Sequence, residues 1–125
     1  MINFEQDIAH IHKLIGGGLI LPNGETIPPD RGVGEVTVRF LAWDTRKIHH
    51  PEATIFVALS SGSRDGHDFL KGAFEKGVRR FWVEKEESIP KGSIALVVPD
   101  TLKALQELAG LKREEHGAMF FGITG

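Results

Sequence analysis

Residues Ile55-Phe56-Val57-Ala58-Leu59 are an unbroken apolar run, and they constrain the fold more than any other stretch of the chain. Successive side chains of a strand point to opposite faces, so such a run must be covered on both. Phe81-Trp82-Val83 and Ile94 to Val98 repeat the character farther along. Between and after these runs the spacing becomes helical. Phe69, Leu70, Ala73 and Phe74 form one helical face, which Gly77 closes. Leu102, Leu105, Leu108 and Ala109 form another, with Asp100 or Thr101 suited to cap its start. Strands alternating with such helices build βαβ units. The expected fold is therefore an α/β domain with a mixed or mostly parallel sheet and helices on both faces.

Elements farther out extend this plan. Val36, Val38 and Phe40 alternate with polar neighbours, and the apolar character continues to Trp43, predicting a strand. Phe4, Ile8, Ile11 and Ile15 carry the stripe of a short amphipathic helix, which Gly16-Gly17-Gly18 ends. From Pro22 to Gly34 the chain reads as a loop, with a hairpin signal at Asn23-Gly24. Ala118 to Ile123 is a last apolar strand. A length of 125 residues suits one compact domain.

The charge balance excludes some partners. Fifteen Lys and Arg against 17 Asp and Glu leave a net charge of -2 with both signs dispersed, so no basic face is expected to meet a nucleic acid. Arg79-Arg80 and Lys112-Arg113-Glu114-Glu115 read as solvated surface. The absence of cysteine removes thiolate metal sites and thiol nucleophiles, and it fits a reducing cytosol. Neither a signal peptide nor a membrane span is visible, so a cytoplasmic protein without membrane insertion is expected.

Two segments carry candidate chemistry. Ser60-Ser61-Gly62-Ser63-Arg64-Asp65-Gly66-His67 joins the carboxyl end of a buried strand to the start of a helix, where ligands of open α/β sheets bind. Serine hydroxyls, close-approach glycines, an arginine and free helix N–H groups together suit a phosphate or diphosphate. The same residues also read as a helix cap at Asp65 with solvated serines. Trp43-Asp44-Thr45-Arg46 ends the preceding strand. Strand alternation would put Trp43 and Thr45 on one side, able to hold a planar base or a sugar edge. An Asp44–Arg46 ion pair or turn cap is the competing reading. No metal site is expected: His10 and His12 lack helical i, i+4 spacing, and His49-His50 are adjacent. Gly16-Gly17-Gly18 and Gly32-Val33-Gly34 do not extend to a dinucleotide fingerprint. No catalytic constellation is visible. At the end of the chain, Phe120-Phe121-Gly122-Ile123-Thr124-Gly125 is a strand running into a glycine-rich turn, the way phosphate-binding loops begin.

Taken together these segments resemble the Mur ligases, ATP-dependent enzymes of bacterial cell-wall precursor synthesis. The resemblance lies in Asp44-Thr45-Arg46, Ile55-Phe56-Val57-Ala58-Leu59, Gly62, and Asp65-Gly66-His67-Asp68-Phe69. It continues through Gly77-Val78, Pro99-Asp100-Thr101, Ala104-Leu105, Leu108-Ala109 and Gly122-Ile123-Thr124-Gly125, covering residues from about 35 to 125. Gly-Lys-Thr would follow Gly125 in the family, so a truncated chain is expected. Residues 1–117 would then be the domain binding the UDP-N-acetylmuramoyl (UDP-MurNAc) peptide, and residues 118–125 the first strand and ATP-loop start of a central ligase domain.

The resemblance implies a substrate grip rather than a catalytic centre. Substrate contacts in the family carry over to Trp43, Thr45, Gly62, Ser63 and Arg64. Arg46, Asp65, Gly66 and His67 are added from the same two segments, and Thr124 and Gly125 from the ATP loop. Thr45 stands where the family has Ser, keeping the hydroxyl. ATP and Mg2+ would belong to the full-length enzyme and not to this fragment, which is expected to be inactive alone. The implied reaction converts a substrate carboxylate and ATP into an acyl phosphate and ADP. An incoming amine then displaces phosphate to form the amide. Asp-Gly-His-x-Phe followed by Glu75-Lys76-Gly77-Val78-Arg79-Arg80-Phe81 looks most like the members that add D-alanyl-D-alanine, including a form fused to alanine racemase. The alternatives are the ligase adding the third stem-peptide residue and a non-catalytic nucleotide-sugar binding module.

Overall fold

A computed structural model describes residues 2–27, 37–59 and 65–116 of the chain. They form one seven-stranded mixed sheet with three α-helices. The strands are β1 (Ile2–Asp7), β2 (Gly18–Ile20), β3 (Thr26–Ile27), β4 (Thr37–Ala42), β5 (Thr54–Val57), β6 (Arg80–Val83) and β7 (Ile94–Val97). The helices are α1 (Ile8–Ile15), α2 (Leu70–Glu75) and α3 (Thr101–His116). Spatial order is β1-β4-β5-β6-β7-β2-β3. Strands β4 to β7 are parallel in sequence order, while β1, β2 and β3 are antiparallel to their neighbours.

The unbroken apolar run does what its pattern requires. Ile55 and Val57 enter a core with Trp82, Leu96, Ile8 and Ile11 of α1, and Leu105 and Leu108 of α3. Phe56 and Ala58 enter a second core with Phe81, Val83, and Leu70 and Ala73 of α2. All of these but Leu70, at 2%, are fully sequestered from solvent. Helices thus cover both faces of the sheet, as expected.

The N-terminal reading needs correction. The expected helix from Phe4 begins only at Ile8, and Ile2–Asp7 is a strand paired with β4, Ile2 opposite Leu41 and Asp7 opposite Thr37. Phe4 fits both the i, i+4 stripe with Ile8 and an i, i+2 alternation with Ile2. The open edge of β4 decides the matter, because unpaired strand amides must find partners. The glycine segment does end α1. Gly17 has a φ of 81°, and a Cβ there would collide with the carbonyl of Val97. Buried His12 supports the turn, its Nε2 lying 3.0 Å from the Gly17 carbonyl. The stretch expected to be a loop also contains a small hairpin around Asn23-Gly24, with Leu19 opposite Ile27, and β2 joins the edge of β7. Residues 28–34 of that stretch, Val36 of the strand expected after it, and the expected strand at 118–123 lie outside the described residues.

Candidate functional site

The parallel strands β4, β5, β6 and β7 end along one rim, and the residues following them form the site. After β4 the chain does not stay extended. Asp44 caps a single 3-10 turn, Thr45–Lys47, by accepting from the Arg46 backbone N–H (3.0 Å). Its carboxylate also receives Arg46 Nε (3.1 Å) and an Arg46 terminal nitrogen (2.8 Å). This fork of bonds is the ion pair and the turn cap at once. Arg46 is 80% exposed, and the hydrogen bond and then the charge of Asp44 push its pKa up. The expected sharing of one side by Trp43 and Thr45 does not occur. Trp43 packs against the α1/α3 core, whereas Thr45 turns to α2 on the other face. The Thr45 methyl lies 3.9 Å from where a Cβ would stand on Gly72, and its carbonyl accepts from Lys76 Nζ (2.6 Å). Alternation ceased to apply where the turn began.

After β5, Gly62, Ser63 and Arg64 fall outside the described residues, and Asp65, Gly66 and His67 begin a 3-10 turn leading into α2. Asp65 caps that turn through the His67 backbone N–H (3.0 Å). Gly66 is buried against the strand end. A Cβ there would collide with the backbone N and O of Leu59 and lie 2.7 Å from the Ala58 carbonyl carbon. Only glycine lets the two ends of this loop meet. The His67 side chain is 5% exposed, with Nδ1 at 2.8 Å from Asp65 Oδ1 and Nε2 accepting from the Glu84 backbone N–H (3.0 Å). Lys85 Nζ donates to the other Asp65 oxygen (2.9 Å), and that hydrogen bond and then the Asp65 charge push the lysine pKa up.

Sequence reasoning missed the partners that complete the rim. Glu84, directly after β6, accepts the Thr101 backbone N–H at 2.8 Å and so caps α3, while Asp100 accepts the Lys103 N–H (3.0 Å). The buried Thr101 hydroxyl has one proton and two near acceptors, the Ala58 carbonyl at 2.8 Å and Glu84 Oε2 at 3.2 Å, of which the shorter is favoured. Exits of β5 and β6 and the start of α3 are thus tied into one network. The available signal was position alone: Glu84 is the first residue beyond an apolar strand, but no local pattern pairs it with Thr101 or His67. Among the described residues, no group of three or more His, Cys, Asp or Glu is arranged to hold a metal ion, and no helix is long and apolar enough to cross a membrane. Thr124 and Gly125 lie outside the described residues.

A mixed sheet with a parallel centre, its strand exits and helix starts gathered on one rim, defines an α/β domain of the open-sheet class, in which ligands bind beyond the carboxyl ends of the parallel strands. Similarity to known proteins makes the class specific, although no family model matches the chain. The UDP-N-acetylmuramoyl-tripeptide–D-alanyl-D-alanine ligase of Bacillus subtilis is 30% identical over 122 residues, 97% of this chain and 24% of that protein. The enzyme of the same name from Rickettsia prowazekii is 36% identical over 88 residues, 70% of this chain and 18% of that protein. A UDP-N-acetylmuramoyl-L-alanyl-D-glutamate–L-lysine ligase of Staphylococcus aureus is 36% identical over 76 residues, 59% of this chain and 15% of that protein. A crystal structure of MurF from Acinetobacter baumannii shares the fold, with a TM-score of 0.71 at 21% identity over 94% of this chain and 23% of that one. The chain belongs to the Mur ligase family. It spans about a quarter or less of the length of the relatives it matches.

Proposed function

We propose that this chain is the substrate-gripping domain of a ligase that adds D-alanyl-D-alanine to UDP-N-acetylmuramoyl-tripeptide in peptidoglycan synthesis. The similarity to the Bacillus subtilis ligase over 97% of the chain carries the reading. By residue type, Trp43, Thr45, Arg46 and residues 62–67 supply an aromatic ring, hydroxyls, cations and backbone amides suited to a uridine diphosphate. Of these, Thr45 and the exposed Arg46 follow β4 on the rim, whereas Trp43 is half buried against the α1/α3 core, so it would not share one ligand surface with Thr45. On this reading residues 1–117 form the grip and 118–125 enter the nucleotide-binding domain of the parent, a cytoplasmic enzyme. ATP and Mg2+ would act there, supplying the phosphoryl group and its charge neutralisation, with Thr124 and Gly125 at the start of the loop that holds them. The chain's own contribution is positional. Binding energy from the remote nucleotide end fixes the reacting carboxylate without taking part in bond making.

Calorimetric titration of the chain with UDP and with UDP-N-acetylmuramic acid tests the grip. Thr45→Ala and Arg64→Ala should each weaken binding roughly tenfold, the worth of one good polar contact. Unchanged affinity in both variants would refute these site assignments. The Staphylococcus aureus similarity favours a second reading, addition of a third stem-peptide residue such as L-lysine. The parent enzyme separates the two, since D-alanyl-D-alanine and L-lysine offered as acceptors give products of different mass.

A further inference from the structure

Thr45 is held from outside its own segment. The 3-10 turn that carries it, Thr45–Lys47, is closed locally by the Asp44 cap and by the Ile48 N–H, which donates to the Thr45 carbonyl at 3.4 Å. That closure is long and weak. The same carbonyl accepts from Lys76 Nζ at 2.6 Å, and this charged donor makes the stronger of the two bonds. Lys76 ends α2 and Gly72 stands four residues before it, so the two share one helix face a turn apart. Side chains on a helix lean towards its N-terminus, which turns the Lys76 stem back towards Gly72. Gly72 has no side chain, and the Thr45 methyl lies over the helix there, 3.9 Å from where a Cβ would stand. Methyl and hydroxyl hang on one Cβ, so fixing the carbonyl and the methyl fixes where the hydroxyl points. Among the described residues that hydroxyl has no hydrogen-bond partner, which leaves its donor and acceptor capacity unused.

We propose that Lys76 is a positioning residue for the substrate grip: from the end of α2 it pins the Thr45 carbonyl, and so presents the Thr45 hydroxyl to the substrate in one orientation. This inference rests on the proposed function for what the hydroxyl meets, the uridine-diphosphate end of the substrate, but not for the hold on the turn. Lys76 itself makes no contact with substrate in this role. Arg46 and Asp44 bind each other and shape the turn from within, whereas Lys76 ties it to another element. A hydroxyl already oriented spares the ligand the entropy of ordering it.

Lys76→Met keeps the length and helix propensity of the side chain but removes its ammonium. In the ligand-free chain it should lower the nitrogen-15 order parameters of the Thr45 and Arg46 amides and average the three-bond couplings that report the Thr45 χ1 angle. Lys76→Arg, which can still donate to the carbonyl, should restore both. In calorimetry with UDP and with UDP-N-acetylmuramic acid, Lys76→Met should bind roughly fivefold more weakly than wild type, a modest loss because Lys76 is exposed. The same substitution should change nothing in a Thr45→Val background, where the methyl remains and the hydroxyl is gone. Losses that simply multiplied would show Lys76 acting on the ligand independently of Thr45, and would overturn the proposal. So would an unchanged turn in ligand-free Lys76→Met. Binding that depended on Thr45 but not on Lys76 would overturn the positioning role alone. If the wild-type chain bound neither ligand, or Thr45→Val bound as tightly as wild type, the proposed grip would fall and the positioning role with it, while the order parameters would still decide whether Lys76 holds the turn.

Discussion

At the scale of single residues, Gly66 is the position with least room for change. A methyl there meets the main chain of Leu59 and Ala58, which cannot rotate away as a side chain would. Gly66→Ala should cost about 3 kcal/mol, the upper range for overpacking, measured by urea denaturation. Gly92→Ala is the matched control: Gly92 has a φ of 88° but nothing within 4 Å, so only the left-handed backbone is penalised, by about 1 kcal/mol. Equal losses would mean that the loop does not close against the strand end. Lys85 makes a pH prediction. Asp65 raises its folded-state pKa above the ordinary 10.5, so the stabilisation is complete below that value and is lost as pH rises through the folded one. Lys85 is half exposed, which keeps the effect small and sensitive to salt. Thermal melts from pH 9 to pH 12 should therefore fall more steeply for wild type than for Lys85→Met at low ionic strength. Parallel curves would show that the pair contributes nothing.

At the scale of elements, α3 depends on a residue from another strand. Its first amide, that of Thr101, points at Glu84 Oε2, a carboxylate at the positive end of the helix. Glu84→Ala should cost about 1 to 2 kcal/mol in urea denaturation, and Glu84→Gln clearly less, since the amide oxygen still accepts the bond. A neutral Glu84→Ala would leave the capping to Asp100 alone. This contact also illustrates which features were legible in the sequence. The parallel strands β4 to β7 and the helices α2 and α3 were legible, because each buries enough contiguous apolar surface to impose its own period. Strand β1 was not, because Phe4 satisfies two periods and a remote edge chooses between them. The three-residue β2 and two-residue β3 are too short for a period, though Asn23-Gly24 marked their turn. In the candidate site, the segments 43–46 and 65–67 were legible from their place after apolar strands. Their internal arrangement was not: Asp44 bends the chain and sends Trp43 and Thr45 to opposite faces, and Glu84 joins His67 and Thr101 across 17 residues on either side.

At the scale of the whole molecule, the residues before 28 supply both edges of a sheet whose parallel centre is built from residues 37–97. Strand β1 lies beside β4, β2 and β3 lie beyond β7, and α1, which joins β1 to β2, packs into the core on one face. Opening the edges need not disturb the centre, whereas β5 and β6 have parallel neighbours on both sides and separate cores above and below. Amides of Ile55–Val57 and Phe81–Val83 should therefore exchange only through global unfolding. Those of Thr26–Ile27 should exchange through openings of far lower free energy. Native-state hydrogen exchange in low denaturant distinguishes these cases, because global openings carry the full denaturant slope and local ones almost none. The proposed grip depends on this hierarchy, since its rim is anchored on the exits of β5 and β6. If the β5 amides opened as readily as those of β3, the rim would lack the rigid base on which the proposed grip depends.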